Sequence, residues 1–125
     1  KSVDPVQEEI FCIVRDANAA AKAMIRPGVR FSDVDKAARD VIEKAGYGEY
    51  FTHRLGHSIG LTGHEFGDVG SYNADIIEAG MTFTDEPGIY LPGRFGVRIE
   101  DVVLVTETGC ESLNGFSRDV IVLGN

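Results

Sequence analysis

Every histidine of the chain, His53, His57 and His64, lies within the glycine-rich run THRLGHSIGLTGHE at residues 52–65. Imidazole can bind a metal, relay a proton or hold a polar ligand at neutral pH, so the cluster is the first place to look for chemistry. Separations of four and seven residues would place all three on one helix face. Gly56, Gly60 and Gly63 oppose that, each costing about 1 kcal/mol relative to alanine inside a helix. An extended, turning segment fits better. On a strand His53 and His57 share a face, and the odd step to His64 needs a bulge or turn, which Gly60 and Gly63 permit. A hydrogen-bonded structural role is the plain alternative for any one of them.

Two acids downstream sit in equally unusual settings. Glu86 lies in FTDEPG, between an apolar strand and a Pro-Gly turn, and Glu100 lies in VRIEDVVLV. Alternation in the latter puts Arg98, Glu100 and Val102 on one face and Val97, Ile99 and Asp101 on the other. Acids seldom occupy a buried strand unless they are paired or bind metal. For Glu100 the alternative is an ion pair with Arg98. Asp85 and Asp101 are expected to be exposed or in turn hydrogen bonds, and Glu8, Glu9, Asp33, Asp35 and Glu43 to form solvated helix surface. One imidazole and two strand carboxylates make a mixed nitrogen and oxygen ligand set suited to Mn²⁺, Co²⁺, Fe²⁺ or Zn²⁺. Two histidines remain for hydrogen bonding or proton transfer. Other schemes fit less well. The chain has no H-E-x-x-H, metal-spaced C-x-x-C, nucleophile elbow, phosphate loop or dinucleotide fingerprint, and Ser58 is only a sequence neighbour of His57.

These residues need elements to position them. Over residues 4–25, Asp4 reads as an N-cap, Pro5 as the first helical residue and Gln7 as the capping-box partner. Val6, Ile10, Val14, Ala17, Ala21 and Met24 then recur at helical spacing. RPG at 26–28 ends that helix. A second helix has Ser32 as N-cap, Asp35 placed like a capping-box acid, apolar Val34, Ala38, Val41, Ile42 and Ala45, and Gly46 as its stop. Strands are expected near 53–60, 81–85, 97–106 and 110–113, with 65–80 a loop. Helices first and strands afterwards give an α+β domain rather than βαβ units.

A chain of 125 residues, 43% hydrophobic and 26% charged, is enough for one ordinary globular core. Its net charge of −8 argues against nucleic acid or an anionic membrane as partner. No apolar run approaches the roughly 18 residues of a membrane span, and the N-terminus has no apolar signal-peptide core. Cys12 and Cys110 read as free thiols. A cytoplasmic protein is expected.

Three segments in order, HRLGHSIGLTGHE, MTFTDEPGIYLPG and GVRIEDVVLVTETGCESL, resemble the catalytic domain of Xaa-Pro aminopeptidases and prolidases, the pita-bread metallopeptidases related to methionine aminopeptidase. The likeness extends through RPGV and the helix on each side of it. His53 is similar to the proline-specific branch in particular. Ser58 and Gly63 depart from the glycine and β-branched residue usual there. The resemblance implies the C-terminal half of a pita-bread fold, two helices on a curved, mostly antiparallel sheet, with residues 1–125 forming one partial catalytic domain. It implies His57, Glu86 and Glu100 as metal ligands, Glu100 bridging two divalent ions, with manganese favoured over cobalt, zinc or iron. It implies His53 and His64 as substrate-holding residues, Glu86 as proton shuttle and Arg98 as an orienting neighbour. The substrates would be peptides with proline at the second position.

Members of that family carry two further aspartate ligands on a hairpin before the first of these helices, and neither Asp4 nor Asp16 matches them. The expectation is therefore the C-terminal part of a longer peptidase, holding one metal ion or none alone, inactive by itself, and partnered by its own missing N-terminal portion. The uncovered face would also allow a homo-oligomer. A non-catalytic binding or assembly module with the same fold is the competing expectation.

Overall fold

The computed structural model describes residues 2–124. Helix α1, Pro5–Met24, has the predicted cap, with the Asp4 side chain accepting the Val6 N–H at 2.8 Å and Pro5 in the first turn, but no described hydrogen bond from Gln7 completes a capping box. Helix α2, Phe31–Lys44, has Arg30 as its N-cap and so begins two residues earlier than a Ser32 cap would start it. The cause is the loop before β3. Phe31 N–H donates to Asp75 O at 3.1 Å and Ser32 N–H to Asn73 O at 2.9 Å, so distant carbonyls satisfy the first donors and no side-chain cap is required. At the other end Gly46, at φ 89°, supplies the left-handed residue that turns the chain. Gly46 N–H bonds Glu43 O and Tyr47 N–H bonds Ile42 O, which is the Schellman closure.

The strands are shorter and more numerous than periodicity predicts: β1 (Gly56–His57), β2 (Asp68–Val69), β3 (Thr82–Asp85), β4 (Gly88–Leu91), β5 (Phe95–Arg98), β6 (Asp101–Val105) and β7 (Cys110–Ser112). Every described pairing is antiparallel, in the orders β1-β2, β3-β6-β7 and β4-β5. The expected strand at 53–60 contracts to two residues plus a bridge from Ser58 to Phe83, and the expected loop 65–80 contributes β2. The expected strand 97–106 is two strands, because β5 pairs back onto β4 in a hairpin and the chain breaks at Ile99 and Glu100 before β6 joins β3. The helices lay Ile10, Val14, Ala17, Ala21, Val34, Ala38 and Ile42 against Phe83, Ile89, Val103 and Val105. Helices this short are marginal alone, and burial of these apolar stripes holds them.

Three acids expected at the surface are completely buried: Asp35, Asp85 and Asp101. Each is held from far along the chain or by the helix turn behind it, which local alternation does not report. Glu8, Glu9, Asp33 and Glu43 are exposed as expected, and both cysteines are free. No described helix is long and apolar enough to cross a membrane.

Gly56 makes the approach of β1 to β3 possible. A Cβ there would sit 1.9 Å from the Thr84 carbonyl oxygen, in backbone that cannot swing aside. Gly56→Ala is therefore expected to destabilise the fold by about 3 kcal/mol or more, read as a fall in the denaturant midpoint, whereas Gly63→Ala, whose added Cβ meets nothing within 4 Å, is expected to leave that midpoint nearly unchanged.

Candidate metal and substrate site

His57 is placed by β1. Its N–H donates to Thr84 Oγ1 at 3.0 Å, and its ring Nδ1 lies 3.0 Å from Ser58 O. A carbonyl oxygen can only accept, so Nδ1 carries a proton, and in the neutral ring the lone pair is on Nε2. That lone pair faces Glu86, whose Oε2 is 3.6 Å away. Glu86 is fixed in turn by its own N–H, which donates to Leu55 O at 2.9 Å.

Glu100 comes to the same place by register. The β3–β6 ladder runs Thr82 opposite Leu104 through Asp85 opposite Asp101, and the β4–β5 ladder resumes in the same register at Gly88 opposite Arg98, so Glu86 and Glu100 fall at one level between the two ladders. Like charges opposed across strands repel. Burial, and then the Glu86 charge, push the Glu100 carboxyl above its ordinary range against the pull of Arg98 and His57. Arg98 Nε stands 3.8 Å from Glu100 Oε2, a loose and half-exposed pair that leaves most of this repulsion unanswered.

His64 returns over His57 because the intervening loop closes on itself. Ser58 N–H donates to Gly67 O, Glu65 N–H to Ser58 O, and Thr62 Oγ1 to His64 O. The two imidazoles stack with centroids 4.0 Å apart, and His64 remains exposed. His53 is elsewhere. It precedes β1 rather than sharing a strand with His57, its Nδ1 lies 2.6 Å from Arg54 O, and its Nε2 meets the Tyr90 hydroxyl at 2.9 Å. With Nδ1 protonated towards the carbonyl, Nε2 accepts the Tyr90 O–H. The histidine run thus supplies two separate environments.

An ion pair between the buried Asp35 and the partly exposed Arg39 holds the His53 segment. Arg39 on α2 donates Nε to Asp35 Oδ2 at 2.9 Å and Nη2 to Asp35 Oδ1 at 3.0 Å, and it also donates to Phe51 O and His53 O. Its guanidinium lies over the Phe51 ring at 4.1 Å, while Asp35 Oδ1 accepts the Leu55 N–H at 3.0 Å. Residues 51–55 have almost no strand pairing of their own, and this pair substitutes for it. Tyr90, Asp35 and Arg39 were not singled out by type or spacing. Tyr90 has a visible signal, since Glu86, Gly88 and Tyr90 keep the two-residue step of one strand face.

These donors suit a divalent cation in kind: one neutral imidazole nitrogen with its second nitrogen tied to a carbonyl, and two opposed carboxylates that repel without a cation between them. Among the described residues, however, no three His, Cys, Asp or Glu side chains are grouped so that they could hold a metal ion, so His57, Glu86 and Glu100 do not by themselves make a three-ligand site.

The family model described as metallopeptidase family M24 matches residues 1–107. The chain is 55% identical over 115 residues to an uncharacterized peptidase of Staphylococcus saprophyticus, a match spanning 92% of this chain and 33% of that protein. It superposes on the dipeptidase of Pyrococcus horikoshii OT3 with TM-score 0.95 and 47% identity, covering 98% of this chain and 34% of that one. On the prolidase of Pyrococcus furiosus the TM-score is 0.91 with 42% identity, covering 93% and 34%. The chain thus spans about a third of the length of the relatives it matches.

One consequence follows from the clamp alone. Arg39→Met keeps the stem packed but strands the buried Asp35 charge, and is expected to destabilise by about 3–5 kcal/mol in equilibrium denaturation.

Proposed function

The chain belongs to metallopeptidase family M24, and we propose that it is the C-terminal part of the catalytic domain of a longer, cytoplasmic enzyme that hydrolyses Xaa-Pro peptide bonds. The observation that carries this is the carboxylate rung Glu86/Glu100 with the His57 Nε2 lone pair turned towards it at 3.6 Å. His57, Glu86 and Glu100 would hold two divalent ions, manganese foremost, together with ligands from outside these residues. Such ions supply Lewis-acid activation of water and of the scissile carbonyl.

The chain's own groups have distinct parts in this reading. Glu86, beside the reacting centre, takes the proton from the attacking water and returns it to the departing proline nitrogen, so one carboxylate serves as base and then acid. His64, exposed and stacked on His57, reaches the substrate from the solvent side. His53, its carbonyl held by the Asp35–Arg39 clamp and its ring by Tyr90, is assigned to holding the substrate. Arg98 keeps the Glu100 carboxylate turned towards its neighbour. The names of the archaeal dipeptidase and prolidase support a proline-specific dipeptide substrate.

The test uses the full-length protein supplied with Mn²⁺. An Xaa-Pro dipeptide is expected to be cleaved, with a tripeptide of the same start assayed alongside to tell dipeptidase from aminopeptidase. A chelator should abolish activity and added Mn²⁺ restore it. His57→Ala should lower kcat/KM by more than the roughly 10–100-fold that loss of an outer partner causes. The 125-residue chain by itself should be inactive; cleavage at the full rate by that chain, or chelator-insensitive cleavage by the whole protein, would overturn the reading.

A further inference from the structure

One rung below Glu86 and Glu100, the β3–β6 ladder opposes a second pair of acids, Asp85 and Asp101, and both are completely buried. Strand alternation turns these side chains to the opposite face, towards α1. There the Asn18 side-chain nitrogen lies 3.0 Å from Asp85 Oδ2 and 3.1 Å from Asp101 Oδ2. Both contacts face carboxyl oxygens that accept, so it is the amide NH₂ that points between them, one N–H to each.

The remaining partners all fall on Asp101. Lys22 Nζ reaches its Oδ2 at 3.1 Å, Asn114 Nδ2 its Oδ1 at 2.8 Å, and Arg118 Nη2 also donates to Oδ1. Burial opposes the Asp101 charge, but these hydrogen bonds outweigh it and hold the carboxyl below its ordinary range. Asp85 receives only Asn18. Burial and the Asp101 charge push it well above its ordinary range, and its Oδ1 has no hydrogen-bond partner among the described residues. Among the described residues Asn18 is consequently the single side chain that ties the two strand ends to each other, and it is nearly fully buried on the apolar face of α1.

We propose that Asn18 is a positioning residue for the metal site, its two N–H groups fixing the separation of the strand ends from which Glu86 and Glu100 project. The inference rests on the metallopeptidase reading. Asn18 touches neither substrate nor metal. It acts through Asp85 and Asp101, each covalently adjacent to a ligand, so that loss of the amide lets the ladder end splay and changes the gap between the two glutamates.

The experiment compares full-length wild type with Asn18→Leu, similar in size and without donors, measuring Mn²⁺ affinity by the paramagnetic signal of free Mn²⁺ and kinetics on an Xaa-Pro dipeptide. Expected is an approximately 10–100-fold loss of Mn²⁺ affinity and, at saturating Mn²⁺, a lower kcat with KM unchanged. Mere weakening of the fold would lower the melting temperature and leave Mn²⁺ affinity intact below it, and that result overturns the proposal. Should Asn18→Leu not fold, Asn114→Ala removes a donor from the same Asp101 carboxylate at the protein's edge; a smaller loss of Mn²⁺ affinity is expected, and wild-type affinity overturns the proposal. Wild type that binds no Mn²⁺ overturns the functional reading and this inference together, whereas wild type that binds beside an equally tight Asn18→Leu overturns this inference alone.

Discussion

Four carboxyl groups occupy two consecutive rungs at one end of the β3–β6 ladder, and much of the molecule is arranged around their repulsion. Opposed like charges destabilise a sheet, and buried ones cannot borrow water to relieve it. The inner rung is answered from within the chain. Asn18 spans it, and Lys22, Asn114 and Arg118 gather on Asp101, so that one acid stays charged and the other is driven towards its neutral form. Among the described residues the outer rung has only the loose Arg98 contact and the His57 ring beside Glu86. The fold thus answers the charge of one rung thoroughly and leaves the neighbouring one largely unanswered, which is the asymmetry the proposed function rests on.

Each helix meets this requirement with a polar group placed in an otherwise apolar stripe. Helix α1 buries Ile10, Val14, Ala17 and Ala21 and inserts Asn18 among them. Helix α2 buries Val34, Ala38 and Ile42 and inserts Asp35, which Arg39 one turn later neutralises. The two polar insertions have different targets. Asn18 fixes the carboxylate rungs, and the Asp35–Arg39 pair fixes the backbone from Phe51 to Leu55 and so the direction of His53. Since Leu55 O also receives the Glu86 N–H, the clamp reaches the carboxylates through one further hydrogen bond.

How much of this the sequence discloses depends on how far apart the interacting residues lie. Helix α1 was legible to its cap because the Asp4 to Val6 contact is local, and the Gly46 stop was legible for the same reason. The start of α2 was not, because Asn73 and Asp75 occupy the role expected of Ser32. Asp35, Asp85 and Asp101 read as surface acids since their type is polar and their partners are hidden. Asn18 is 67 positions from Asp85 and 83 from Asp101. Periodicity also merged β5 with β6, as alternation continues through Ile99 and Glu100 where the pairing partner changes from β4 to β3. His57 and Glu86 meet, and the shared register of the β3–β6 and β4–β5 ladders sets Glu100 level with Glu86, whereas the supposed common strand face of His53 and His57 does not exist.

That separation of the histidines has a physical cause that bears on their proposed roles. His53 and His57 use one device, an Nδ1–H directed at the carbonyl of the following residue, which holds each ring with Nε2 outward. What they do next is decided by the group that Nε2 meets. At His57 it is an acid with no proton to give when ionised, so the lone pair and the carboxylate both remain free to bind a cation between them. At His53 it is the Tyr90 hydroxyl, which donates into the lone pair and occupies it. A ring whose lone pair is already taken is a poor metal ligand, but joined to a phenol it makes an oriented polar edge. The same residue type, four positions apart and with Nδ1 turned to the same kind of carbonyl, thus meets a carboxylate in one case and a phenol in the other.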